Sequence, residues 1–330
     1  MLLLLSQVQQ IAHGKWRIHL QGFKQLIDFY GGCDALISRY LDAGFILSNV
    51  LIIDTMSTTT CPATRFGADI KRWLTTYLEV LPYLDHDLIP SPTPIPPRLL
   101  RVIIMINLLR ATSNPLEVNP HLSSTFSQIL SDLDITCVYE LGACDEKRPR
   151  KSLEIGSTCK PPGAQAQQVQ TPSQTFFHEC YRSAVVLYAM ATFPNLDPTH
   201  ESVDIILTPE AVNAIQISAY SSLLQSLWAL FKLKDNSLGK EAHWKFIFWP
   251  LAMAGVHSVV LKHDRDDFDY ICAQLYEMTA KLGTLCMRDA AVFLQRLWEV
   301  TSDTGVGGLG QNWRVLTWDE IFKDAPLFLL

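Results

Sequence analysis

The stretch HWKFIFWPLAMAGVHSVV, residues 243–260, is apolar on nearly every side when wound into a helix. A surface helix keeps one apolar stripe and a polar back, so a helix without a polar face belongs at the centre of a bundle, enclosed by others. The apolar run from Phe246 to Leu261 contains Pro250 and His257 and is shorter than the roughly twenty apolar residues that span a bilayer. The run from Leu99 to Leu109, broken by Arg101, is shorter still. Both therefore read as core, and Pro250 is expected to kink its helix or to start it.

Enough amphipathic helices surround this centre to enclose it. Trp16, Leu20, Phe23, Ile27 and Tyr30 form one stripe that stops at Gly31-Gly32. Ile70, Trp73, Leu74, Tyr77, Leu78 and Leu81 form a second, ending at Pro82. The Pro-rich stretch SPTPIPP, residues 91–97, leads into a third with Leu99, Val102, Ile103, Ile106 and Leu109, where Pro97 suits the first turn. Ser124 is placed to cap a helix that turns Phe126, Ile129, Leu130 and Leu133 inward.

Helical patterning resumes over 176–193 and again after Thr208-Pro209-Glu210, which announces a helix through Trp228. Phe268, Ile271, Cys272, Leu275, Met278 and Leu282 follow, with Gly283 as C-cap. Met287, Ala290, Leu294, Leu297 and Trp298 mark a last stripe. No run alternates apolar and polar residues between hairpin turns, and no strand-turn-helix order suggests a parallel sheet. The expected fold is all-α, a large multi-helix bundle occupying residues 1–330 as one domain.

From 144 to 174 the composition shifts to Pro, Gln, Ser and Gly without hydrophobic period, which reads as a disordered loop or insertion. Within it Lys147, Arg148, Arg150 and Lys151 make the one basic cluster, a candidate nuclear import signal beside a plainer reading as a solvated loop. The whole chain carries a formal net charge of −6, so it has no general positive field to draw it onto phosphate backbones. The opening MLLLLSQVQQ lacks the charge and cleavage site of a signal peptide and is expected to begin a helix. The eight cysteines include no close C-x-x-C pair and are read as reduced thiols of an intracellular protein.

Chemical motifs are present only in fragments. Gly305-Val306-Gly307-Gly308-Leu309-Gly310 matches the letters of the dinucleotide fingerprint, but a helix rather than a strand precedes it and too little chain follows. His178-Glu179 begins a zincin-like motif that fails at Arg182, where the second histidine is needed. Asp264, Asp266, Asp267 and Asp269 partly match the aspartate-rich magnesium motif of helical terpene synthases and fail at Tyr270; an acidic helix N-terminus accounts for the same residues. The sequence thus assigns no catalytic residue, no cofactor and no metal ligand, and an enzyme is not expected.

Taken in order, several elements resemble the fungal-specific transcription factor domain that follows zinc binuclear cluster modules. Trp16, His19-Leu20, Gly22, Leu26-Ile27 and Gly31-Gly32 are similar to its W-x-x-H-L-x-G-A-x-x-L-I-x-x-x-G-G element, with Phe23 where alanine is common. Residues 92–110, PTPIPPRLLRVIIMINLLR, resemble its P-C-P-x-x-L-F-x-x-I-x-x-I-N-x-L-R stretch, with Ile95 in place of cysteine. Tyr181, Ala184 and Leu187-Tyr188 resemble a Y-x-x-A-x-x-L-Y helix, and Trp249-Pro250-Leu251 through Ala254-Gly255 a W-P-L-F-I-A-G core. Leu297-Trp298-Glu299 and Trp313-Arg314 are similar to the closing helix pair.

The resemblance implies a nuclear regulatory domain, shared at most with the cytoplasm, that restrains or directs transcription. It implies protein partners, either the transcription machinery or a DNA-binding regulator, and leaves homo- or heterodimerisation and a small-molecule effector open. The family's DNA-binding module holds two zinc ions on six cysteines in two close triads, and no cysteine precedes Trp16, so direct specific DNA binding is not expected of this chain. A zinc cluster encoded upstream and a stand-alone regulator acting through a partner both fit. The alternative outside transcription is a helical ligand-binding or scaffold protein.

Overall fold

A computed structural model describes residues 16–40, 43–84, 95–112, 128–133, 172–192, 208–233, 241–261, 264–303 and 317–323. Among these residues the protein is helical with no strand, as the periodicities require. The expected helix start before Trp16, Ser124 and Phe126, the basic cluster, residues 305–310 and Trp313-Arg314 lie outside the described residues.

The first half contains α1 (Trp16–Phe29), α2 (Cys33–Arg39), α3 (Ala43–Thr59), a 3-10 turn (Ala63–Arg65), α4 (Ala68–Leu84) and α5 (Pro97–Thr112). Gly31 and Gly32 take φ of 95° and 91°, the left-handed conformation that lets the chain turn sharply from α1 into α2. Pro97 opens α5, as its fixed φ and missing N–H favour. Proline does not end α4, which continues through Pro82 to Leu84. Pro82 is exposed and two residues from the terminus, so the Leu78 carbonyl it cannot serve is close to solvent.

The second half contains α6 (Pro172–Thr192), α7 (Pro209–Lys232), α8 (Glu241–Val260), α9 (Arg265–Leu282), α10 (Cys286–Asp303) and α11 (Trp318–Phe322). Helix α6 starts at Pro172, inside the stretch of altered composition. Thr208 caps α7, its hydroxyl accepting from the Ala211 N–H at 3.2 Å, and Gly283 at φ 68° closes α9. Asp264 caps α9 by accepting from the Asp266 N–H at 3.1 Å, and Asp269 pairs with Arg265 at 2.9 Å.

Helix α8 lies where the sequence puts it, packed against α6, α7, α9 and α10, while α5 joins the halves by touching α3, α4 and α6. Phe246 to Val259 is buried without interruption, so this helix has no face left for water. One apolar cluster runs from Leu20 to Phe322, with Ile129, Leu130 and Leu133 of a helical turn at 128–132 inside it.

Helix α3 is the element that periodicity passes over. It is buried along almost its entire length, and its sequence AGFILSNVLIIDTMSTT ends in hydroxyl and β-branched residues that argue against a helix. These hydroxyls bond back to the helix itself: Thr58 Oγ1 donates to the Asp54 carbonyl at 2.7 Å and Thr59 Oγ1 to that of Met56 at 2.6 Å. The hydroxyls of Ser57, Thr58 and Thr59 are thereby satisfied within the helix, which makes burial of the Ser-Thr run affordable, whereas Thr55 Oγ1 is buried without a hydrogen-bond partner. Among the described residues no helix is long and apolar enough to cross a membrane.

Candidate functional site

The C-terminal end of α3 leaves carbonyl groups without intrahelical donors, and the negative end of its dipole points the same way. Arg110, near the end of α5, fills this position. Its Nη1 donates to the carbonyls of Thr58 and Thr59, both at 3.2 Å, and its Nη2 to that of Cys61 at 2.6 Å. Nη1 also donates to the Tyr188 hydroxyl on α6 at 2.7 Å, and that hydroxyl donates onward to Asn107 Oδ1 at 2.5 Å. Asn107 Nδ2 returns to α3 through the Thr55 carbonyl at 3.0 Å.

Two tryptophans complete the ring. Trp249 of α8 donates Nε1–H to Thr59 Oγ1 at 3.0 Å, and Trp318 of α11 donates Nε1–H to the Thr59 carbonyl at 2.6 Å. The carboxylate of Asp319 accepts from Arg110 Nη2 at 2.6 Å and from the backbone N–H of Ala63 at 3.2 Å through the same oxygen. Five helices, α3, α5, α6, α8 and α11, thus meet at one polar node inside an apolar core.

Burial pulls the Arg110 pKa down, but the Tyr188 hydroxyl and the Asp319 carboxylate outweigh it, so the group is held above its ordinary value and remains a cation. Tyr188 is pushed up to about 12, chiefly by burial, and stays a neutral donor. The node has no nucleophile paired with a base. It can fix five helices in register and hold an acidic side chain, but it offers no group positioned for bond-breaking.

A second buried pair lies about one turn back along α3 from the node. Lys24 Nζ of α1 meets Asp54 Oδ2 at 2.5 Å, and the Tyr77 hydroxyl of α4 donates to the same oxygen at 2.9 Å. On α6, Glu179 accepts from Ser183 at 3.1 Å and from Ser222 of α7 at 2.8 Å. Burial lowers the pKa of His178 beside it. The carboxylate of the incomplete zincin-like motif thus serves to tie α6 to α7. Among the described residues no three His, Cys, Asp or Glu side chains are grouped as a metal site.

The segments quoted for the family resemblance supply most of the node: Asn107 and Arg110 from the I-N-x-L-R stretch, Tyr188 from the Y-x-x-A-x-x-L-Y helix, and Trp249 from the W-P-L element. Sequence reasoning placed these residues in motifs without connecting them, and it missed Thr59, Trp318 and Asp319 altogether. The candidate import residues Lys147, Arg148, Arg150 and Lys151 lie outside the described residues and are not brought to this site.

A family model for the fungal specific transcription factor domain matches residues 1–330. A curated relative, the phomenoic acid biosynthesis cluster-specific transcriptional regulator of Leptosphaeria maculans, is 24% identical over 301 residues. The match covers 90% of this chain and 50% of the relative, so the chain spans about half the relative's length. No solved structure matches the chain.

Proposed function

The chain belongs to the fungal specific transcription factor domain family, and on that premise we propose that it is the regulatory and interaction domain of a fungal zinc-cluster-type regulator, acting as one helical unit over its 330 residues. The family match over the full sequence carries this reading, and the relative named as a cluster-specific transcriptional regulator supports it. Specific DNA recognition is assigned to a module outside this sequence or to a partner. A net charge of −6 gives the domain no broad attraction for DNA. Its action is protein contact in the nucleus, with entry assisted by Lys147, Arg148, Arg150 and Lys151.

The test is to fuse the chain to an unrelated DNA-binding module upstream of a reporter gene and to follow the fusion by microscopy. The expected outcome is nuclear accumulation and a change in reporter transcript relative to the module alone, with less accumulation when the four basic residues are replaced by glutamine. A fusion that reaches the nucleus and leaves transcript unchanged in every growth condition would refute the regulatory role.

A further inference from the structure

Helix α11 has five residues, too few to hold a helix alone in water, so its conformation depends on the groove that receives it. Trp318 and Phe322 are almost fully buried, Trp318 packing on Tyr188 at 5.2 Å and on His257 at 6.3 Å, and Phe322 stacking on Phe293 at 5.3 Å. Between these anchors the Asp319 carboxylate reaches Arg110. The segment therefore lies against the rest of the molecule as a short acidic, aromatic peptide lies in a receptor, with apolar anchors in a groove and one charge read by a buried cation.

Two features of this contact bear on what the groove accepts. The Arg110 side chain is 4% exposed whereas that of Asp319 is 38% exposed, so solvent reaches the acid and not the base. Among the described residues Asp319 is the one carboxylate paired with Arg110, and the carbonyl oxygens around the guanidinium do not neutralise it. The groove thus keeps its need for an anion whichever segment supplies it.

We propose that this groove is a receptor site for a partner protein's short acidic-aromatic helix, of the pattern Trp-Asp/Glu-x-Ile/Leu-Phe, and that α11 is the internal plug that competes for it. The occupant is fixed by charge complementarity to Arg110 and by the side chains that the groove already accepts. The proposal goes beyond the transcriptional reading and depends on peptide binding alone.

The probe is a fluorescein-labelled peptide with the sequence of residues 316–324, titrated by anisotropy into the full chain and into a full-chain variant carrying Trp318→Ala and Phe322→Ala. The variant is expected to bind at least tenfold tighter than the parent, because its own plug has lost its anchors. A peptide with Asp319→Asn should bind at least tenfold weaker than the unaltered peptide. Thr317→Ala with Glu320→Ala removes the capping box of α11 while keeping its anchors Trp318, Asp319 and Phe322, and should tighten peptide binding several-fold even if the first variant fails to fold. Equal affinity of both peptides, no tightening in a capping-box variant with parental circular dichroism, or a shift to dimer mass on loosening α11, which would make a second copy the occupant, overturns the proposal.

Discussion

The hydroxyl of Tyr181 on α6 donates a 2.6 Å hydrogen bond to the backbone carbonyl of Phe246 on α8, the carbonyl that Pro250, four residues later, has no N–H to serve. The proline inside the central helix thus leaves an acceptor that the neighbouring helix fills, and the Tyr181 ring stacks on Trp249 at 5.8 Å. Tyr181→Phe keeps the stacking and strands the carbonyl, so chemical denaturation should show a loss of about 1–3 kcal/mol. In a Pro250→Ala background the N–H restored at position 250 takes over that carbonyl, and the same change should cost much less. Additive effects would separate the two residues energetically.

At Gly255 α8 packs closely on α10: a Cβ there would overlap the Leu294 side chain, with Cδ1 far inside contact distance and Cγ at 3.3 Å. Gly255→Ala is expected to destabilise by about 1–3 kcal/mol, as overpacking in filled cores does. Adding Leu294→Ala makes room for the methyl group, so thermal melts should place the double variant above the sum of the two single losses.

The buried Lys24–Asp54 pair calls for a different comparison. Lys24→Met leaves Asp54 buried with only Tyr77 as a side-chain donor, and a loss of about 3–5 kcal/mol is expected from stranding a charge. Replacing Asp54 by asparagine in the same chain removes the charge while keeping an acceptor for Tyr77. Urea midpoints should then recover a large part of the loss, and a double variant no better than Lys24→Met would contradict the assignment.

What the sequence made readable follows from what each helix shows to water. Helices α1, α4, α9 and α10 each keep a polar back, so their stripes were legible at helical spacing. Helix α8 was legible for the opposite reason, because an uninterrupted apolar run has one place to go. Helix α3 is equally buried but ends in Ser and Thr, whose helical fitness depends on hydroxyl-to-carbonyl bonds that no periodicity records. Lys24, one turn after Leu20 on the apolar stripe, and Asp54, inside an apolar run, were signals of a buried pair: each is a charge where its helix is dry. The polar node was illegible because its members are distant in sequence. Arg110 and Asp319 lie 209 residues apart, and only packing shows that one helix end needs both.

Alkaline pH should weaken the fold through its buried thiols and phenols. Burial pushes Cys33 up to about 11 and Cys272 to about 12, and it raises Tyr77 and Tyr181 well above the ordinary phenol range. Below pH 9.0, the ordinary thiol value, these groups are neutral in both states and their contribution is fully present. As pH rises beyond it the unfolded chain ionises first and is favoured, so stability falls until the folded values near 11 to 12 are passed. Urea midpoints should decline steadily between about pH 9 and pH 11, and iodoacetamide should label native Cys33 and Cys272 slowly at about pH 8. A flat midpoint with fast labelling would oppose both burial assignments.

Arg110 offers the sharpest separation between charge and geometry. Lysine at this position keeps the cation but replaces a planar fork of five N–H donors by a single point charge, which cannot reach the Thr58, Thr59 and Cys61 carbonyls, the Tyr188 hydroxyl and Asp319 together. If charge alone holds α11, Arg110→Lys should be nearly neutral. If the fork matters, several buried acceptors lose their donor at once and the loss should reach about 3–5 kcal/mol, the range for breaking a buried polar network. The second outcome is expected, because four of the five acceptors are uncharged and only directed donors satisfy them. Hydrogen exchange would locate the damage. Loss of protection at the end of α3 together with α6 is the predicted pattern, whereas loss confined to residues 317–323 would assign Arg110 to holding α11 alone.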